Sequence, residues 1–104
     1  MVDPLRVEVR RSPVHGRGVY ARCRFRKGAY IGTFEGTETK QDGMHVLWVT
    51  DEAGREVGVR GQNLFRFLNH AQDPNAEFWG FDLYAIRNIQ PGSEIMIDYG
   101  LEWA

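Results

Sequence analysis

The sequence contains one cysteine, Cys23, among its 104 residues. A single cysteine excludes an internal disulfide and any zinc site built from several thiolates. No apolar run approaches the ~18 residues that a membrane span needs, and the first six residues lack the apolar core of a signal peptide. We therefore expect an intracellular protein without a membrane segment, either cytoplasmic or, for a viral or secreted protein, in a host nucleus.

Metal ligands are also scarce. The three histidines, His15, His45 and His70, are not spaced as the ligands of a metal site usually are. No metal is therefore expected.

The net charge is only −1, but its sign is divided along the chain. Residues 1–27 contain eight basic and two acidic side chains, whereas residues 28–104 contain five basic and twelve acidic ones. The basic stretch favours solvated strand faces over a nucleic-acid surface, which would need exposed aromatic residues among the arginines. Only Tyr20 and Phe25 lie there, so nucleic acid is not expected as a partner. The acidic remainder favours a basic protein segment.

Short strands and tight turns dominate the predicted secondary structure. Alternating or apolar segments indicate strands over 6–10, 19–21, 29–34, 45–50, 55–60, 83–87 and 94–99. Only one segment is helical in pattern: Asn63 can cap it, and Leu64, Phe67 and Leu68 recur at helical spacing over one or two turns. The chain is predicted to be one mostly β domain.

Three segments contain residues that could bind a ligand or take part in catalysis. They are His15–Tyr20, with Gly16 and Gly18 before a strand; Asn63–Asn75, with Arg66, Asn69 and His70; and Gly92–Gly100, with Tyr99 at the end of an apolar strand face. Taken singly, these segments fit a plain turn, a satisfied structural histidine and a core tyrosine. Asn69 and His70 adjoin strongly apolar residues, so each must bond either backbone or a polar ligand.

In this order and spacing the segments closely resemble the SET domain. The resemblance rests on Gly16-Arg17-Gly18-Val19-Tyr20, on Arg66-Phe67-Leu68-Asn69-His70 with Asp73-Pro74-Asn75, and on Glu94 before Asp98-Tyr99-Gly100. It covers about residues 5–103 of a single domain, 1–104. It implies a compact, β-clip-like fold of short strands with a C-terminal pseudoknot and one short helix, and it is closest to minimal viral and bacterial members without pre-SET and post-SET segments.

The resemblance also implies a division of labour among site residues. S-adenosylmethionine would be bound by Gly16, Arg17, Gly18, Tyr20, Arg66, Asn69 and His70. Tyr99 would be the catalytic residue, and a lysine channel would be lined by Phe34, Phe78, Ile97 and Trp103. Phe34 stands where many members have tyrosine, so one hydroxyl that could orient the amine is missing.

These features predict an S-adenosylmethionine-dependent protein-lysine N-methyltransferase whose substrate is a lysine-containing, histone-like protein segment. The alternative is a non-catalytic SET-like module that binds a basic peptide. Minimal viral relatives suggest a homodimer. The apolar channel end, formed by Phe34, Phe78 and Ile97, predicts di- or trimethylation.

Overall fold

The computed structural model describes residues 2–43 and 45–98, which form ten short strands and one turn of 3₁₀ helix. The strands are β1 Val7–Arg11, β2 Arg17–Ala21, β3 Tyr30–Thr33, β4 Gly36–Thr39, β5 Val46–Thr50, β6 Glu56–Gly61, β7 Asn69–His70, β8 Ala76–Trp79, β9 Asp82–Ala85 and β10 Glu94–Ile97. The predicted mostly β fold of short strands is confirmed.

The strands form three small sheets, ordered β1-β2-β10-β7, β3-β9-β8 and β4-β6-β5. In the first sheet β10 lies between two strands that are distant in sequence. It runs antiparallel to β2 and parallel to β7. Insertion of the last strand between earlier ones is the arrangement expected before a C-terminal pseudoknot. The segment from Tyr99 onward lies outside the described residues.

One apolar core joins the sheets. Its fully buried side chains include Phe25, Ile31, Phe65, Leu83 and Ile95. Along β10 the buried Ile95 and Ile97 alternate with the half-buried Glu94 and Met96. Because successive side chains of a strand point to opposite faces, Glu94 faces away from the core side of β10.

The helical segment is shorter than a regular α-helix, as predicted. The 3₁₀ helix covers Leu64–Phe67, and the Asn63 side chain accepts a hydrogen bond from the Phe65 amide at 3.3 Å. The same side chain donates to the Thr33 carbonyl at 2.8 Å, which ties the helix start to β3. No described helix is long and apolar enough to cross a membrane.

Three strands, β4, β7 and β8, were not predicted. Strand β4 reads Gly-Thr-Glu-Thr and has no apolar residue to create an alternation, whereas β7 has only two residues. Both form because a partner strand is presented to them: β6 pairs with β4, and β10 pairs with β7. Their conformation is decided by tertiary pairing, not by intrinsic preference.

Candidate functional site

A single carboxylate connects the three motif segments. Glu94, at the start of β10, accepts hydrogen bonds from the Ser12 hydroxyl at 2.8 and 3.0 Å and from the Tyr20 hydroxyl at 3.3 Å. Its Oε2 also accepts a hydrogen bond from the Asn69 amide at 2.8 Å. The carboxylate therefore joins the loop after β1, strand β2 and strand β7. All its donors here are neutral groups.

The Asn69 side chain is directed into the protein. Asn69 is 5% exposed, and besides Glu94 its Nδ2 donates to the carbonyls of His15 at 3.1 Å and Arg17 at 3.0 Å. An amide nitrogen has two hydrogens, so these three acceptors occupy its donor capacity. Asn69 thus links loop 15–17 to the parallel β7–β10 pair, and its side chain binds the loop from the buried side.

Gly16, in this loop, and Gly18, in β2, are glycines for different structural reasons. Gly16 has a φ of +48°, a conformation that residues with a Cβ rarely adopt, and open space surrounds the position of a Cβ there. At Gly18 an added Cβ would lie 2.2 Å from Glu94 Oε2 and 3.1 Å from Asn69 Nδ2. Gly18 therefore makes room for the carboxylate–amide pair. Direct contact of either glycine with a cofactor stays a prediction.

A second asparagine fixes the position of β10. The Asn75 side chain donates to the Glu94 carbonyl at 2.8 Å and accepts from the Met96 amide at 2.9 Å. The Asn75 amide also donates to the Met96 carbonyl at 3.2 Å. The Asn75 carboxamide thus bonds the β10 backbone as a residue of a neighbouring strand would. These bonds hold β10, which precedes Tyr99 in the sequence, in register.

Two predicted cofactor residues, Arg17 and Arg66, meet at the ring of Phe67. Their guanidinium carbons lie 5.9 and 4.4 Å from its centroid. Arg66 also donates to the carbonyls of Gln62 and Asn63 at 2.9 and 3.0 Å, which caps the backbone around the 3₁₀ helix. Arg66 is therefore engaged by its own segment, whereas Arg17 is exposed at the start of β2.

His70 is the solvent-facing member of the second motif. Its backbone pairs with Ile97 in the parallel β7–β10 register, and its Nδ1 lies 3.7 Å from Asp98 Oδ1. The imidazole is exposed, beside the last described residue before Tyr99. Within residues 2–43 and 45–98, no group of three or more His, Cys, Asp or Glu side chains could hold a metal ion.

The described channel candidates belong to one apolar cluster. Phe34 is buried and its ring stands edge-on to Phe78, with centroids 5.9 Å apart. Ile97 is buried in the same cluster, and β10 packs against β8, which contains Phe78. Phe78 is half-buried and opens into a groove of about 450 Å³ beside β5. Tyr99 and Trp103 lie outside the described residues.

The residues that prediction missed are Glu94, Ser12 and Asn75. Glu94 and Asn75 lie inside the motifs that carry the resemblance. For Glu94, the signal in the sequence was a carboxylate in an otherwise apolar strand, Glu-Ile-Met-Ile. Such a group needs hydrogen-bond donors. Its donors come from positions up to 82 residues away, so the sequence alone could not identify them.

Comparison with known proteins agrees with these motifs. The family model described as the SET domain matches residues 16–100. The match includes Gly16 and Arg17 of the loop held by Asn69, the 3₁₀ helix, and the segments Asn69–Asn75 and Glu94–Gly100.

Solved structures share the fold. The methyltransferase domain of human histone-lysine N-methyltransferase SETMAR superposes with a TM-score of 0.77 at 23% identity, covering 89% of this chain and 44% of that one. Polycomb Repressive Complex 2 of Chaetomium thermophilum, as a humanized mutant bound to the inhibitor GSK126, gives 0.77 at 24% identity and covers 93% and 15%. The same complex bound to S-adenosylmethionine gives 0.78 at 21% identity and covers 94% and 15%. The chain thus spans less than half the length of each of these structures.

Proposed function

Because the chain belongs to the SET domain family, we propose that it is a protein-lysine N-methyltransferase that takes its methyl group from S-adenosylmethionine. One observation supports this most directly: Asn69 and Glu94 assemble the three motif segments into one preorganised unit. Preorganised groups lose little freedom when a ligand binds. The proposal includes a single SET domain over 1–104 and a homodimer that completes the substrate channel.

The residues present fit the cofactor in two ways. Loop 15–17 is exposed, has open space at Gly16 and is fastened from behind by the Asn69 amide. His70 presents an exposed imidazole next to β10. We propose that the loop backbone and Arg17 bind the methionine part and that His70 binds the adenosyl part. Asn69 and Glu94 then act as positioning residues, and Gly18 makes room for them.

The chemistry requires alignment and exclusion of water. S-adenosylmethionine supplies a methyl group on a sulfonium when it is bound. A lysine amine has an ordinary pKa of about 10.4, and a desolvated channel lowers this value because burial disfavours the charged form. The apolar side chains of Phe34, Phe78 and Ile97 supply that desolvation. Tyr99, which follows Asp98 in the sequence, is proposed to orient the neutral amine for in-line displacement.

The groove beside Phe78 is the proposed entrance for the substrate. It is lined by Leu47, Trp48, Val49, Thr50, Glu56, Phe78 and Gly80. Strand β5 is an outer strand of its sheet and, among residues 2–43 and 45–98, pairs on one side only, so we propose that its other side pairs with an extended peptide. Glu56 gives the groove an acidic group, and we propose that a basic, histone-like segment binds there. The most direct test is mass spectrometry of lysine-rich proteins after incubation with this chain and S-adenosylmethionine.

S-adenosylmethionine is expected to stabilise the folded chain. A ligand specific for the native state adds about 2.7 kcal/mol at 100 times its Kd, roughly 10 °C in unfolding temperature for a domain of this size. Asn69→Ala should remove most of the shift, because loop 15–17 loses its anchor. Differential scanning fluorimetry with and without cofactor measures this.

The matched control is Asn88→Ala, which removes one exposed side-chain hydrogen bond, to the Lys27 amide, outside the site. It should keep the full shift. A wild-type chain that shows no shift at millimolar cofactor would contradict the enzyme and leave the second candidate, a SET-like module that binds a basic peptide. The phenylalanine at position 34 favours that candidate, since the ring offers no hydroxyl to the amine.

The proposed channel also predicts the degree of methylation. Phe34, Phe78 and Ile97 cannot hydrogen-bond a water near the amine, so a water there is displaced at little cost and a methylated nitrogen fits. We expect di- or trimethyl-lysine as the final product. Phe78→Tyr or Ile97→Tyr should shift the product toward monomethyl-lysine in intact-mass analysis, with Phe78→Leu as the control without a hydroxyl. A wild type that stops at one methyl group with excess cofactor would contradict this model of the channel.

A further inference from the structure

Three aromatic side chains form a stripe across the outer face of the β3-β9-β8 sheet. Tyr30, Tyr84 and Trp79 come from successive strands, with ring centroids 5.7 Å apart for the first pair and 6.4 Å for the second. Trp79 is 69% exposed and Tyr30 is 42% exposed. Large apolar groups this exposed on a sheet face indicate an interaction surface.

A basic loop, Arg22–Lys27, borders this stripe. Its exposed residues are Arg22, Arg24, Arg26 and Lys27, which lie on both sides of the buried Phe25 in the sequence. Arg22 pairs with Glu8 at 3.3 Å. Arg24, Arg26 and Lys27 form no ion pair with any acidic side chain of residues 2–43 and 45–98, so their charges are available to a ligand.

Backbone hydrogen bonds hold the basic loop at the end of the central strand β9 and against the segment that follows it. Phe25 and Ile89 exchange two bonds of 2.9 and 2.7 Å, and the Gly28 amide donates to the Ala85 carbonyl at 2.7 Å. As a result, Lys27 lines the same groove as Glu77, Trp79 and Tyr84, an open and mostly apolar groove of about 440 Å³. The fold thus places one cation, Lys27, beside two aromatic rings that are more than fifty residues away in sequence.

We propose that this surface, the stripe Tyr30–Tyr84–Trp79 with the basic loop Arg22–Lys27, binds single-stranded nucleic acid. Unpaired bases stack on the exposed rings, and the phosphates follow Arg24, Arg26 and Lys27. Aromatic residues on an antiparallel sheet face with cations at its border are the combination that single strands need. A duplex cannot use the rings, because its bases are already stacked.

Two carboxylates on the same sheet face orient the strand. Glu77 accepts a hydrogen bond from the Trp79 indole at 2.9 Å, and Asp82 accepts one from the Thr33 hydroxyl at 2.7 Å. They repel phosphates that lie directly over the sheet, so the backbone is expected to run along the loop side. The motif residues Asn69 and Glu94 belong to the β1-β2-β10-β7 sheet, so this binding does not depend on methyl transfer.

The test is fluorescence anisotropy with a labelled, mixed-sequence 20-nucleotide DNA, offered single-stranded and as a duplex at several salt concentrations. We expect the single strand to bind about tenfold more tightly than the duplex. Trp79→Ala should weaken single-strand binding about tenfold or more, the effect of losing one stacked base. The double variant Arg26→Glu, Lys27→Glu should lower the salt slope by about 0.7 for each lost phosphate contact.

Lys40→Glu serves as the control, since it changes an exposed cation outside the stripe and the basic loop. It should bind as wild type does. The proposal would be overturned if single-stranded and duplex DNA bound with equal affinity and Trp79→Ala had no effect. The basic loop would then be a general contact for polyanions. No binding in 100 mM salt, or tighter binding of polyglutamate than of the single strand, would overturn the proposal too.

Discussion

Replacing Tyr99 with phenylalanine is expected to lower the rate of methyl transfer about 100-fold or more while S-adenosylmethionine affinity changes less than about threefold. The hydroxyl is proposed to orient the amine, an interaction that strengthens in the transition state, and removing one such donor commonly costs this much. The substitution retains the ring, so it tests the hydroxyl alone. Single-turnover kinetics and calorimetric titration of the cofactor measure the two quantities separately.

The matched control for Tyr99→Phe is Tyr20→Phe, which removes a hydroxyl that bonds Glu94 and the Arg11 carbonyl instead of reacting groups. It should affect cofactor binding and stability modestly and the rate at saturation little. Equal losses of binding and rate in Tyr99→Phe would mean that Tyr99 acts through packing.

Glu94→Ala is expected to have the largest effect on stability among the site variants. It removes the carboxylate to which the Ser12 hydroxyl donates, and an unmade bond of this kind costs about 1–3 kcal/mol, whereas the Asn69 amide keeps its carbonyl acceptors at His15 and Arg17. A loss near 2–3 kcal/mol would lower the unfolding temperature by about 10 °C or more. Thermal unfolding of the cofactor-free chain measures this.

Two further variants separate the contribution of the carboxylate from that of side-chain volume. Gly18→Ala keeps Glu94 but pushes a Cβ into its carboxylate, so it should destabilise the chain in the same direction. Glu38→Ala, an exposed carboxylate on β4, should stay within about 0.5 kcal/mol of wild type. If Glu94→Ala unfolds like Glu38→Ala, then Glu94 does not join the motif segments in solution.

Much of the local structure was determined by the sequence itself. The turn at Pro91-Gly92, where Gly92 has a φ of +86°, the turn from Asp51 to Gly54 before β6 and the cap at Asn63 depend on residues close together in the chain, and their backbone preferences act locally. The family was also readable, because its motifs are short runs of adjacent residues, such as Arg66–His70. These features need no distant partner.

Tertiary structure alone decided the partners of those motif residues. Asn69 was predicted to bind the cofactor, and only the fold shows that its side chain also donates to two carbonyls more than fifty residues earlier in the chain. The arginines of the first 27 residues appeared to lack exposed aromatic neighbours, and the fold places Lys27 beside Trp79 and Tyr84. Such contacts form only when remote strands pair, because the entropy of closing long loops is offset by the whole core and not by either residue.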